Sequence, residues 1–237
     1  MTRRYHRKMA RYDGLAEWYD REFDRAPLES ATWEAVRRLL GDGDGALLDV
    51  GCGTGSYSAA LAQLGWDVTG VDVSEDMLER ARAKGVHTVR ADARSLPFDD
   101  SSFDAAVSLW THTDVDDFAT TLREVARVLR SSGPFVYLGV HPCFVGPHSE
   151  YVEAQGVPKL HASWYRRSGQ YTEAPGRSAK GLRAKVGVSF HRPLDEFLQT
   201  FLDAGLRLEK IEEPEERDYP YMLALRWRRG PNATGGA

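Results

Sequence analysis

Three glycines, Gly51, Gly53 and Gly55, alternate with Cys52 and Thr54 directly after the apolar run Ala46-Leu-Leu-Asp-Val50. Glycines at this spacing let a backbone pass close to a ligand. Asp49 interrupts the apolar run, and one helix later Asp72 stands at the end of Val68-Thr-Gly-Val-Asp72. An acidic residue at the end of a second strand can accept both hydroxyls of a ribose. The set therefore describes a site for a nucleoside-containing cofactor. A dinucleotide fingerprint needs its third glycine at position 56, where this chain has Ser56. A pyrophosphate also favours a helix N-terminus with no carboxylate nearby. Asp49 would repel it, and would instead suit a ligand amino group. An NAD-dependent oxidoreductase is thus the weaker enzyme reading. A non-catalytic, cofactor-binding regulatory protein on the same fold is the other alternative.

Histidine is the side chain best tuned for a base near neutral pH. His112, His141, His148 and His191 lie where they could face a second substrate. His112 follows a strand by a few residues and His141 ends another. Ligands of open α/β sheets gather at such carboxyl ends, so these two are the candidate catalytic bases. His191, near a helix start, reads better as structural. His141, His148 and His161 lack the tight spacing of a metal site, and no metal is expected. Cys52 and Cys143 make neither a disulfide framework nor a metal cluster. Aromatic residues offer walls for a planar or apolar substrate: Tyr12, Trp18 and Tyr19 early in the chain, and Phe144, Tyr151, Trp164, Tyr165 and Tyr171 later.

The elements that must hold these residues follow from periodicity. Residues 11–23 predict an N-terminal helix with an aromatic stripe, and residues 31–40 a second, ended by the glycine- and aspartate-rich 41–45. Strand, helix and strand then follow over 46–50, 56–64 and 67–71. Ser74 caps a helix to Arg82, with Met77, Leu78 and Ala81 on one face. A weak strand covers 88–90 and a clear one 105–109. An amphipathic helix spans 116–129, and a fifth strand 135–140. This alternation argues a three-layer α/β sheet. Between His141 and Ser189 no period holds, and the stretch is too long for a simple connection. An inserted cap over 141–189, before the sixth strand, is expected. A helix over 194–204, a strand over 207–211 and a last strand over 221–227 close the fold. No crossover helix fits between the last two strands, so they should run antiparallel.

The 237 residues suit one domain, with the helices of residues 1–40 contributing to a lid. With 31 basic and 35 acidic residues, and a net charge of -4, no nucleic-acid footprint is expected. The run Thr2–Lys8 is basic but short, and the tail 230–237 is small and polar. The cap is locally basic at Arg166, Arg167, Arg177, Lys180, Arg183 and Lys185. No apolar run reaches the length of a membrane span and no secretory signal is seen, so a cytoplasmic location is expected.

On its motifs the chain resembles the class I S-adenosylmethionine-dependent methyltransferases. The likeness is to the small-molecule branch that includes ubiquinone and menaquinone biosynthesis enzymes. The first motif is Leu48-Asp-Val-Gly-Cys-Gly-Thr-Gly55. The second is Val71-Asp-Val-Ser74 with Met77 downstream. The third is Ala91-Asp-Ala-Arg-Ser-Leu-Pro-Phe98, followed by Ser102-Phe-Asp-Ala-Ala-Val-Ser108. The fourth is Glu124-Val-Ala-Arg-Val-Leu-Arg130, leading into Gly133-Pro-Phe-Val-Tyr137. The late His191-Arg-Pro-Leu194 and Asp203-Ala-Gly-Leu206 also fit. Where the family usually has Pro-Gly-Gly, this chain has Ser131-Ser-Gly133, in a turn that supports the sheet. The resemblance covers about Tyr12 to Trp227. It implies a Rossmann-like seven-stranded mixed sheet with the last strand antiparallel, flanked by helices, and S-adenosylmethionine as cofactor. It further implies that Gly51, Gly53 and Gly55 wrap the methionine part and that Asp49 supports its amino group. Asp72 would bind the ribose, Val73 and Met77 would pack on the adenine, and Asp92 with the Ala93 backbone N–H would read its edge. Leu109 and Trp110 would sit near the methyl donor. The acceptor is then a small molecule, with His148, Trp164 and Tyr165 from the cap and Tyr12, Trp18, Tyr19 and Trp110 around it. Oligomeric state is not legible.

Overall fold

The computed structural model describes residues 10–23, 30–152, 157–175, 182–215 and 218–230. The basic run Thr2–Lys8, Arg177, Lys180 and the tail beyond 230 lie outside them, as do the side chains of Tyr151 and Arg183.

Strands β1 (Ala46–Val50), β2 (Asp67–Asp72), β3 (His87–Arg90), β4 (Ala105–Leu109) and β5 (Pro134–Val140) pair in parallel. Helices α3 (Ser56–Gln63), α4 (Glu75–Ala83) and α5 (Phe118–Val128) connect them, except that coil joins β3 to β4. Strands β10 (Leu206–Glu212) and β11 (Met222–Arg229) complete a seven-stranded sheet of order β10-β11-β5-β4-β1-β2-β3. Strand β11 is antiparallel to both its neighbours, as the short closing loop requires. The expected strand and helix bounds hold to within about two residues, the margin at which element ends fray. The third strand, weak in sequence, is present in full.

The N-terminal helix is shorter than its aromatic stripe predicts. Helix α1 spans Ala16–Phe23 and residues 11–15 form turns. Gly14 takes φ of 78° there, and the Asp13 carboxylate accepts from the Ala10 N–H at 2.8 Å. That local bond offers the backbone an alternative to the helix.

Two cores cover the two faces of the sheet. Helices α5 and α7 (Leu194–Asp203) pack Phe118, Leu122, Phe197 and Phe201 against Phe135, Tyr137 and Trp227. Helices α2 (Ala31–Leu40) and α3 pack Trp33, Val36, Leu39 and Leu61 against Leu47, Val68, Val107 and Leu138. Phe118, Phe197 and Phe201 are fully buried, each worth about 1.5–3 kcal/mol of transfer free energy. Ser30 caps α2 by accepting from the Trp33 N–H, and Ser74 caps α4 through Met77.

Between β5 and α7 the chain leaves the sheet. Strand β6 (Ser149–Val152) pairs with β7 (Val157–Leu160), and β8 (Gly169–Tyr171) with β9 (Ser189–His191), both antiparallel; α6 (Leu182–Val186) precedes β9. The Phe190 N–H donates to the Thr113 carbonyl at 2.9 Å, so this segment stands on the loop that follows β4.

Candidate functional site

The glycine turn joins β1 to α3 and is held from three sides. Gly51 and Cys52 both donate their N–H to the Val71 carbonyl of β2. Gly51, at φ of 77°, lies so close to the Thr111 side chain that any Cβ would collide with it. Gly55 caps α3 in the left-handed region, φ 81°, and a Cβ there would meet Ala81 of α4 at 2.7 Å. The turn therefore needs glycine for conformation and for close approach together.

Two carboxylates flank this turn. Asp49 is 2% exposed and accepts a hydrogen bond from the Ser58 hydroxyl at 2.6 Å. Burial pushes its carboxyl up to about 6, and nearby Asp72 adds to the push while Ser58 opposes it. Asp72 ends β2. One of its oxygens accepts from the Gly53 N–H at 3.1 Å and the other from the Ser74 N–H at 2.8 Å. Burial raises its pKa too, against these backbone bonds. A carboxylate has about four acceptor positions, so each oxygen keeps one for a ligand hydroxyl. Val73, the next residue, is 45% exposed, an apolar surface beside that carboxylate.

Other expected cofactor residues are placed differently. Met77 is 2% exposed. Its side chain packs in the core on the buried face of α4, with Leu78 and Ala81. Leu109 is likewise a core side chain, 6% exposed, so only its backbone at the end of β4 can serve a ligand. The Asp92 carboxylate is engaged by Arg94, at 2.6 Å from the guanidinium and 2.9 Å from the Arg94 N–H, and this pairing lowers its pKa. Arg94 also reaches Asp116 before α5. Ala93 packs partly against the core.

The two candidate bases are both buried and partnered. His112 is 4% exposed, and its ring sits among Phe118, Tyr137 and Phe197. Its Nδ1 pairs with the Tyr137 hydroxyl. It is a polar pin in the aromatic core. His141 is 5% exposed with both ring nitrogens occupied. Its Nδ1 accepts from the Cys143 N–H at 3.2 Å, and its Nε2 faces Glu213 at 3.1 Å. Burial lowers its pKa while Glu213 works the other way. No lone pair remains on it for a substrate proton.

Trp110 follows β4 in the left-handed region, φ 67°, pinned by its N–H on the Leu138 carbonyl at 2.7 Å. Such a conformation is costly for a bulky residue and concentrates at functional sites. Its side chain also bonds Tyr57. Tyr12 and Tyr19 make an edge-to-face pair, and Trp18 lies under the Lys185 ammonium at 4.9 Å, which ties α1 to α6. Trp164 carries Arg167 at 4.3 Å. Tyr165 is a peg: its hydroxyl accepts from the Leu194 N–H at 3.0 Å, at a helix start where Pro193 has no side-chain cap.

Several residues of this site carry no signal at sequence level. Ser58 and Thr111 touch the turn, yet no motif spacing marks them. Lys84 donates to the Thr54 carbonyl, the Ser56 hydroxyl and Asp20 of α1, all within 3.0 Å. Burial works against the Asp20 charge, but bonds from Thr54, Lys84 and Arg80 outweigh it and lower its pKa. The Ser74 hydroxyl donates to Asp13 and the Gly14 N–H donates to Asp76. Helix α1 is thus latched across the glycine turn. Among the described residues no group of three or more His, Cys, Asp or Glu could hold a metal ion.

Comparison with known proteins agrees with this geometry. Residues 48–137 match a family described as a methyltransferase domain. An O-methyltransferase from Aspergillus sclerotiorum is 35% identical over 134 residues, 52% of this chain and 51% of that protein. A demethylmenaquinone methyltransferase from Staphylococcus haemolyticus is 39% identical over 99 residues, 38% of this chain and 41% of that protein. The chain thus spans about half the length of the curated relatives it matches. The crystal structure of an S-adenosylmethionine-dependent methyltransferase from Mesorhizobium loti superposes with a TM-score of 0.72 at 29% identity, covering 87% of this chain and 99% of the other. The glycine turn, the paired carboxylates and the sheet order agree with this likeness, and the chain is similar to class I S-adenosylmethionine-dependent methyltransferases over residues 48–137 and in its fold.

Proposed function

We propose that this chain transfers a methyl group from S-adenosylmethionine to an oxygen, nitrogen or carbon of a small-molecule metabolite by in-line displacement. The observation that carries the reading is the pair of carboxylates on the glycine turn. A buried anion such as Asp49, with its pKa raised to about 6, gains most from a cationic amino group. Asp72 keeps acceptor positions for a ribose diol, and Val73 presents an apolar surface next to it. These residues fit the cofactor.

When bound, the cofactor supplies an electrophilic methyl on a sulfonium. In this reading the protein's own part is to bind, align and exclude water. Asp49 and the turn hold the amino-acid end, and Asp72 fixes the ribose. Trp110, held in its unusual backbone state, and Tyr12, Trp18 and Tyr19 line the acceptor side. Helix α1, latched by Asp20 to Arg80 and Lys84, forms with the described residues of the stretch 141–189 a lid that keeps water out. No helix among the described residues is long and apolar enough to cross a membrane. The reading includes a cytoplasmic setting, in line with two free cysteines.

Calorimetry tests it. S-adenosylhomocysteine should bind in the micromolar range and NAD should not. Asp72→Ala should weaken that binding by about 1.5–3 kcal/mol, the scale of a lost hydrogen bond to a charged group. Tight NAD binding, or an unchanged affinity in the variant, overturns the assignment.

A further inference from the structure

Helix α1 stands beside the cofactor turn with little apolar support. Of its residues only Ala16 is buried, and neither core contains any residue of α1. Its ties to α4 are polar. Arg80 reaches Asp20 at 3.1 Å and Glu17 at 4.0 Å, and Lys84 reaches Asp20 at 3.0 Å. An element with few buried apolar contacts opens at low cost, so polar bonds of this kind decide where α1 sits.

The glycine turn needs anchors as well. Gly51, Gly53 and Gly55 take φ of 77°, 53° and 81° and carry no side chain to hold it. Strand β2 fixes the first half, through the Gly51 and Cys52 N–H groups on the Val71 carbonyl and the Gly53 N–H on Asp72. The second half leads into α3, whose cap Gly55 supplies no side-chain bond. There Lys84 donates to the Thr54 carbonyl and to the Ser56 hydroxyl, both at 2.9 Å, and the Thr54 hydroxyl donates to Asp20. One ammonium thus holds the turn and the lid helix together. The N-terminus of α3 does not favour a cation, because its dipole is positive there; Asp20 supplies the opposing charge. The Lys84 and Asp20 side chains are 26% and 17% exposed, against 38% and 83% for Arg80 and Glu17. Exposed pairs contribute little, so the shielded pair is the one able to transmit a change.

We propose that Lys84 is a positioning residue for the methyl donor, joining the glycine turn to α1 so that cofactor binding and lid closure are coupled. The proposal rests on the methyltransferase reading above and adds the link between an occupied turn and a closed lid. The three ammonium donors meet Thr54, Ser56 and Asp20, so Lys84 acts through these residues and not on the ligand. A ligand that orders Thr54 and Ser56 steadies their bonds to Lys84, and with them Asp20 and α1. By linkage, a docked α1 tightens the ligand by the same factor.

The test is hydrogen–deuterium exchange of the α1 amides in the full chain, with and without saturating S-adenosylhomocysteine, alongside calorimetric affinities. In the parent the ligand should slow exchange across residues 16–23 at least tenfold. In Lys84→Met the affinity should fall at least tenfold, and saturating ligand should leave α1 exchange within twofold of the ligand-free rate. Arg82→Met takes the same charge from α4 but cuts bonds to Glu75 and Thr88 only; it should match the parent within twofold in both measurements. Asp20→Asn and Ser56→Ala each cut one arm of the joint. Combined, they should weaken binding by less than the product of their separate factors, and this cycle decides the matter if Lys84→Met does not fold. Three results overturn the proposal: no ligand-dependent slowing in the parent, the same slowing in Lys84→Met or the same loss in Arg82→Met, and factors for Asp20→Asn and Ser56→Ala that simply multiply. Failure of the parent to bind S-adenosylhomocysteine would instead sink the methyltransferase reading.

Discussion

Asp49→Asn separates the stability of this protein from its cofactor affinity. A carboxyl whose pKa is higher in the folded than in the unfolded chain binds its proton more tightly when folded. Its stabilising contribution is complete below the unfolded value, 3.8, and is lost as the pH rises through about 6. At pH 7.5 the buried, ionised Asp49 therefore weighs against folding. The gap between 3.8 and about 6 corresponds to about 3 kcal/mol, at 1.36 kcal/mol per tenfold change in proton affinity. Asparagine removes the charge and can still accept from the Ser58 hydroxyl. Its buried amide, if unpaired, costs about 1–3 kcal/mol in return. That penalty does not depend on pH, so the pH dependence isolates the charge.

The assay is urea unfolding of both proteins without cofactor, from pH 7.5 down to pH 4. The stability of Asp49→Asn minus that of the parent should fall by most of about 3 kcal/mol over this range. Other carboxylates cancel in the difference. Glu209, for one, is held at about 2, first by Arg228 and then by Arg226. Its contribution is present above its unfolded value and lost towards pH 2, the opposite slope. In parallel, Asp49→Asn should bind S-adenosylhomocysteine at least tenfold more weakly at pH 7.5. A difference that stays flat with pH would refute the cost assigned to the buried charge. A flat difference together with unchanged affinity would remove Asp49 from the site altogether.

Two further variants probe the turn and the aromatic core. Gly55→Ala should cost about 1–2 kcal/mol for a side chain in the left-handed region. A further 1–3 kcal/mol, roughly, should follow from overpacking against Ala81. The urea midpoint should drop with its slope unchanged; a midpoint like the parent's would mean that α3 and α4 are not in contact through the turn. His112→Phe should cost about 1–3 kcal/mol by stranding the buried Tyr137 hydroxyl, and most of that should return in the double variant with Tyr137→Phe. The cofactor affinity of His112→Phe and of the double variant should stay near the parent's. A large loss of affinity would mean that His112 supports the cofactor site as well as the aromatic core.

The sheet and the glycine turn were legible because their causes are local. Apolar runs of strand length, helix caps such as Ser74, and a closing loop too short for a crossover each act over a few residues. The site around the turn was legible only where one residue's type implied its task. Asp72 ends a strand beside glycines, and the structure gives it two backbone donors. Met77 shows the limit: helical spacing put it on a face with Leu78 and Ala81, but spacing alone does not say whether that face meets a ligand or the core.

The surroundings of the histidines were illegible for a different reason. The carboxyl end of a strand is where ligands gather and also where the core ends, so His112 and His141 could belong to either. What decides is the partner, and those partners are remote in sequence: Tyr137 on β5 for His112, Glu213 beyond β10 for His141. His191 is held by a remote neighbour too, the Tyr165 carbonyl, whereas His148 bonds the Cys143 carbonyl within its own loop. Asp49 needs no such help. An acid inside an otherwise apolar strand breaks the pattern that its own burial demands, and a sequence that violates its pattern without local compensation marks a functional position. The structure adds the physical content: the violation is a charge held near Asp72 at a cost to folding, which a cationic ligand would relieve.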